Sequence, residues 1–170
     1  MADVAELPLL FLDVDGPVLP FGLSPAGGSW DEGDEDEVVD AQFARLDRSL
    51  GRRLAALPCR LVWATAWEDD ANVEIAPRIG LPRLPVVFWP GSSDERERED
   101  TWLGVHWKTR ALVSWAAGRS FVWVDDEVTD ADRQWVSKHH AGRALLHHVD
   151  SSRGLSDADF VVLDAWLRAG

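Results

Sequence analysis

The feature that most constrains this chain is Leu7–Leu12, LPLLFL, an unbroken apolar run that stops abruptly at Asp13-Val14-Asp15-Gly16-Pro17. Continuous rather than alternating hydrophobicity suits a strand covered on both faces, as in a parallel sheet. Similar runs recur at 61–64 (LVWA), 85–89 (PVVFW), 121–124 (FVWV) and 144–149 (ALLHHV). Helical patterns lie between them. Val39, Phe43, Leu46, Leu50, Leu54 and Leu57 predict one apolar stripe, and Trp107, Ala111, Leu112 and Trp115 predict another. Ser156 and Asp159 form an S-x-x-D box opening a last helix, with Phe160, Leu163 and Leu167 facing inward. Strands alternating with helices imply βαβ units, right-handed crossovers and helices on both faces of the sheet. The expected fold is a three-layer α/β sandwich around a central parallel sheet, in a single domain over residues 1–170.

Composition narrows the function. A net charge of −13 disfavours an extended grip on nucleic acid, which needs Lys and Arg to displace counterions, but leaves recognition of a strand end open. The single cysteine, Cys59, forbids an intrachain disulfide or a Cys-rich zinc site and reads as a buried, inert thiol. The N-terminal segment has no basic flank or small-residue cleavage site, and no apolar stretch approaches the roughly 20 residues that span a bilayer. A cytoplasmic protein with no membrane partner is expected. Two segments read as irregular: Gly16–Gly33, running into the acidic stretch Trp30–Asp40, and the polar stretch Pro90–Asp100. Acidic runs are usually solvated surface; the sharper reading of 30–40 is a lid that gates a nearby site.

Asp13 and Asp15 follow a buried strand, so the sheet delivers both to the edge where α/β domains do their chemistry. Carboxylates this close stay ionised together only beside a cation or strong donors, and Mg²⁺ prefers hard oxygen ligands. Alone, the pair reads equally well as a surface turn. The next run ends at Thr65, whose hydroxyl and the following backbone N–H groups can hold a phosphate oxygen; a structural threonine is the plainer alternative. Lys108, in His106-Trp107-Lys108-Thr109 at a helix start, offers a compact charge, with ordinary surface charge as its rival. The FVWV run delivers Asp125-Asp126-Glu127, either the rest of a metal site with Asp13 or an acidic turn before a helix cap.

The order of these pieces resembles the haloacid dehalogenase (HAD) superfamily of phosphotransferases. LLFLDVDGPV is similar to its first motif, hhhhDxDx[TV], LVWATAW to its second, HWKTR to its third and FVWVDDE to its fourth. The texture of WATAWEDDAN, HWKTRALVSWA and FVWVDDE looks like the capless bacterial HAD domains associated with RNA-repair proteins. The resemblance implies a HAD-like Rossmannoid sheet with strand order 5-4-1-2-3. It makes Asp13 the nucleophile that forms an aspartyl-phosphate, and Asp15 the acid and then base. Thr65, Ala66 and Lys108 would hold the phosphoryl group. Mg²⁺ would bind Asp13, the backbone carbonyl of Asp15, and Asp125, with Asp126 a direct or water-mediated partner. The implied function is a Mg²⁺-dependent phosphomonoester hydrolase. The gaps after the first two motifs leave room for a minimal cap or none, and so open a site suits either a macromolecular phosphate, such as a nucleic-acid end, or a modest phosphatase. A phosphoprotein, a nucleotide and a sugar phosphate stay open as substrates, and no pattern speaks to oligomeric state.

The alternative is a non-catalytic HAD-like binding domain, against which all four motif positions are filled. A phosphoacceptor receiver domain has its acidic residues and Lys in a different order, and no G-x-x-x-x-G-K-[ST] supports a P-loop kinase. His139-His140 and His147-His148 look metal-like, but adjacent residues of a strand point to opposite faces. Arg45, Arg48, Arg52 and Arg53 read as one helix face, more simply solvated than bound to phosphate. Trp67, Trp102 and Trp107 are candidates for stacking bases or for the core.

Overall fold

The computed structural model describes residues 7–21 and 42–170. Four parallel strands make the sheet: β1 (Leu9–Leu12), β2 (Arg60–Trp63), β3 (Phe121–Asp125) and β4 (Ala144–His148), in the order β2-β1-β3-β4. The described helices are α1 (Leu50–Ala55), α2 (Ala76–Ile79, entered through a π-helical turn at Ala71–Ile75), α3 (Asp94–Leu103), α4 (Thr109–Ala116), α5 (Asp130–His139) and α6 (Asp157–Arg168).

The unbroken apolar runs become strands because both faces of each are covered. Leu10, Leu12, Trp63, Val122 and Val124 pack on one side with α1, α2 and α6, through residues such as Leu54, Ile79 and Leu163. Leu9, Phe11, Val62, Phe121 and Trp123 pack on the other with Leu112 and Ala116 of α4 and Val136 of α5. Register matters here: Leu12 lies opposite both Trp63 and Val124, so the chain leaves the sheet at one level on three neighbouring strands.

Three expectations change. The run at 85–89 makes only an isolated parallel bridge, Val86 to Trp63, so the sheet has four strands and the five-strand order is not reached. Its side chains explain why: Val87 is buried but Phe88 is 64% exposed, so one face lacks the cover that a fully formed inner strand has. The polar stretch at 90–100 is not all loop. Ser93 caps α3 by accepting the Arg96 N–H, and Asp94, Glu95 and Glu97 place negative charge in its first turn. None of its residues is buried, so it carries no apolar stripe to betray it. The stripe at 43–57 is interrupted: Leu46, Leu50, Leu54 and Leu57 are buried as expected, but the helix itself begins at Leu50. Arg45 and Arg48 precede it, while Arg52 and Arg53 lie on it, so the four arginines do not share one helix. Val39 and the acidic stretch 30–40 lie outside the described residues.

Other readings are met. Ser156 and Asp159 form a reciprocal capping box on α6, with Phe160, Leu163 and Leu167 buried. Cys59 packs against the core, and burial pushes its thiol up to about 12, where it is unreactive. The histidines serve the fold: His140 bonds the Arg119 carbonyl, and His147 bonds Asp159 at 2.7 Å. No described helix is long and apolar enough to cross a membrane.

Candidate active site

The site forms where β1, β2 and β3 end. Asp13 leaves β1 directly, its N–H donating to the Val124 carbonyl at 3.1 Å, while Asp125 closes β3. Lys108, at the N-cap of α4, reaches between them. Its ammonium lies 2.8 Å from Asp125 Oδ2 and 3.1 Å from Asp13 Oδ1. All three residues are buried, at 6% exposure or less. Asp126 joins them: one carboxylate oxygen each from Asp13, Asp125 and Asp126 lie within 4.8 Å of one another.

The chain after Asp15 turns sharply to make this closure possible. Gly16 has a φ of +99°, and a Cβ there would stand 2.7 Å from the Asp126 carboxyl carbon. The Gly16 N–H then donates to the Leu19 carbonyl, and Val18 and Leu19 both return to Val14, tying the turn down. Glycine at position 16 is thus required by its neighbour across the site as much as by the turn.

Three carboxylates face one buried ammonium, and the electrostatics record the imbalance. Burial pushes Asp13 up to about 7, with the Asp125 charge adding to the rise and Lys108 opposing it. Burial, reinforced by Asp125, raises Asp126 to about 6. Burial also disfavours the charged Lys108, but Asp13 and Asp125 outweigh it and hold the amine above the ordinary lysine value. An excess of hard oxygen donors gathered this tightly fits a divalent cation of the Mg²⁺ type.

Donors orient each carboxylate. Asp13 Oδ1 takes the Val14 N–H at 2.9 Å as well as Lys108, leaving Oδ2 with no protein donor among the described residues. Asp125 accepts the Glu127 N–H on Oδ1 and the Trp123 indole N–H on Oδ2. Asp15 is turned to the other wall, where its Oδ2 accepts the Trp67 indole N–H at 3.0 Å, and its side chain is not part of the three-carboxylate group. Thr65, fully buried at the end of β2, accepts the Trp67 backbone N–H on its hydroxyl, and Ala66 beside it is exposed. Asp13, Lys108, Asp125 and Asp126 therefore converge, with Asp15 and Thr65 linked to one another through Trp67.

Asp132 and His106 escape a reading of the sequence for chemistry. Asp132 is fully buried and accepts four hydrogen bonds, from the His106 N–H, the Thr109 hydroxyl, and the N–H and hydroxyl of Thr129. It thereby caps α5 and fixes the segment that carries Lys108. The T-x-x-D spacing marks the cap, but the reach to His106 is long-range. His106 in turn accepts the Lys108 N–H on Nδ1 at 3.2 Å, which leaves Nε2 to carry the proton it shares with Glu127 at 2.6 Å.

A parallel α/β sheet whose adjoining strand ends gather carboxylates around a buried lysine defines the Rossmannoid class of HAD type. Over residues 9–160 the chain matches the family described as the HAD domain in Swiss Army Knife RNA repair proteins, and it belongs to that family, hence to a superfamily of hydrolases. No curated protein and no solved structure matches it.

Proposed function

We propose that the chain is a Mg²⁺-dependent phosphomonoester hydrolase, cytoplasmic, with residues 1–170 as one catalytic domain and the phosphorylated end of a nucleic acid as its substrate. The observation that carries this reading is the buried Asp13–Lys108–Asp125 constellation with Asp126 beside it. Family membership supports hydrolysis and, through the proteins in which such domains occur, a nucleic-acid end.

Asp13, Asp125 and Asp126 are the side chains that would hold Mg²⁺, with the Asp15 carbonyl; the bound ion would neutralise phosphoryl oxygens. Asp13 Oδ2, which has no protein donor among the described residues, attacks phosphorus and forms the aspartyl-phosphate as the ester P–O bond breaks. Asp15 gives its proton to the departing oxygen. The same carboxylate then takes a proton from water as that water attacks phosphorus, releasing inorganic phosphate and restoring both aspartates. Lys108 offsets charge on the transferring group, while Thr65 and the Ala66 N–H position it.

The test is phosphate release from an aryl phosphate and from end-phosphorylated oligonucleotides. The expected activity requires the metal and falls by about three orders of magnitude or more in Asp13→Asn, the scale on which loss of a covalent nucleophile acts. Folded wild-type protein that releases phosphate from none of these substrates would sink the reading and favour a binding domain.

A further inference from the structure

Beside the site, a groove of about 700 Å³ runs between α3 and α4. Its lining includes Trp89 and Trp107, together with Arg96, Glu97 and Asp100 of α3 and Arg110 of α4. The two indoles meet edge to face, centroids 4.9 Å apart, and Trp107 keeps 52% of its surface exposed. Spacing groups Trp107 with the inward stripe of α4, yet it precedes the helix and faces out.

What makes the groove more than a surface hollow is its attachment to the phosphate-holding residues. The Trp89 indole N–H donates to the Thr65 carbonyl at 2.9 Å. Trp107 adjoins Lys108, whose ammonium lies 5.5 Å from the Trp107 ring centroid. Thr65 and Lys108, both expected to grip the phosphoryl group, thus each touch one member of the tryptophan pair. A substituent leaving the phosphate on that side meets aromatic rings first.

Charge selects the occupant. Arg110 is committed to Asp100 at 2.6 Å and Glu99 at 3.1 Å, and Arg96 and Glu97, consecutive on α3, add one charge of each sign to the same lining. Among the described residues its lining balances Arg96 and Arg110 with Glu97 and Asp100, so a second phosphate gains nothing there; a neutral planar group with a polar edge does. A nucleobase has that form and stands one sugar away from its phosphate. A phosphotyrosine ring is bonded directly to its phosphate and offers no polar edge to Arg96 or Ser92. The other candidates for stacking are otherwise placed: Trp67 is tied to Asp15, and Trp102, 84% exposed on α3, does not line the groove.

We infer that the groove between α3 and α4 receives the terminal nucleobase of a phosphorylated nucleic-acid end against Trp107 and Trp89, while its phosphate lies at Asp13. This rests on the phosphomonoester hydrolase reading, and binding is the readout that separates the two.

The experiment measures, by calorimetry with Mg²⁺ present, the affinity of the Asp13→Asn protein for 5′- and 3′-phosphorylated dinucleotides, glycerol phosphate and a phosphotyrosine peptide. At least one dinucleotide binds ten- to a hundredfold more tightly than glycerol phosphate, about the worth of one base stacked on an aromatic ring. Adding Trp107→Ala removes that advantage, Trp107→Phe retains most of it, and Trp102→Ala leaves it intact. Ser114→Trp, which fills the groove from an exposed position on α4, removes it without touching the tryptophan pair. Equal affinities, an advantage that survives both Trp107→Ala and Ser114→Trp, or a preference for the peptide would overturn the proposal. If the wild-type protein hydrolyses none of these ligands, the catalytic reading fails on its own and the binding results still decide the subsite.

Discussion

Gly16 shows how much of the site hangs on a single missing atom. Its φ of +99° is strained for any residue with a Cβ, and the space that Cβ would need is already filled by the Asp126 carboxylate. Gly16→Ala is expected to lower stability by about 1–3 kcal/mol, the usual cost of a side chain forced into such a conformation. It also displaces Asp126, so the Mg²⁺ concentration for half-maximal activity rises. Chemical denaturation and a metal titration read the two effects; an unchanged metal dependence would show that Asp126 does not contribute to the cation site. Asp132 makes the complementary point. Its four hydrogen bonds join residues 106, 109 and 129, so Lys108 is held in place by a carboxylate that never approaches the reacting atoms.

Among the elements, α6 is the clearest case of local sequence dictating structure. Ser156 and Asp159 exchange bonds across its first turn, and His147 of β4 bonds Asp159 from the sheet. Ser156→Ala should cost about 1 kcal/mol, as removal of an N-cap usually does. Burial works to raise the Asp159 carboxyl, but the Ser156 N–H and hydroxyl and the His147 ring prevail and hold it below its ordinary value. A carboxyl lowered by folding adds stability that is complete above its unfolded pKa of about 4 and is lost as pH falls through the folded value. Denaturation curves should therefore show Asp159→Asn losing less stability than wild type between about pH 5 and pH 2. An identical acid slope would mean the box is not formed in solution.

The same scale shows what was legible in the sequence. Apolar runs and strand-end aspartates could be read because burial on both faces leaves an unbroken hydrophobic signature and a sharp end. Residues 85–89 carry the same signature, yet Phe88 faces solvent, and a run alone does not say whether a neighbour covers its second face. Helix α3 left only Ser93 and its acidic first turn as a signal, since periodicity reports a buried stripe and it has none. The meeting of Asp13, Lys108, Asp125 and Asp126 depends on strand adjacency, which order along the chain suggests and only the register supplies.

Taken whole, the molecule carries a charge of −13, and that sets the range of any contact with nucleic acid. A protein that neutralises many phosphates loses affinity steeply with salt, at about 0.7 per phosphate on a log–log plot for single strands. For the Asp13→Asn protein and a 5′- or 3′-phosphorylated oligonucleotide, the expected slope is about 1–2 in magnitude, unchanged between a dinucleotide and a dodecamer. A slope that grows with length would reveal a backbone track elsewhere on the surface.

Helix α3, none of whose residues is buried, has one more implication. It supplies Arg96, Glu97 and Asp100 to the groove but no side chain to either face of the sheet. Substitutions on a helix that the core does not feel are usually worth within about 0.5 kcal/mol of zero. Selectivity and foldability are therefore written in different residues of this chain. Helix α3 can be diversified by evolution or by a library, with the catalytic cluster and its supporting core inherited intact.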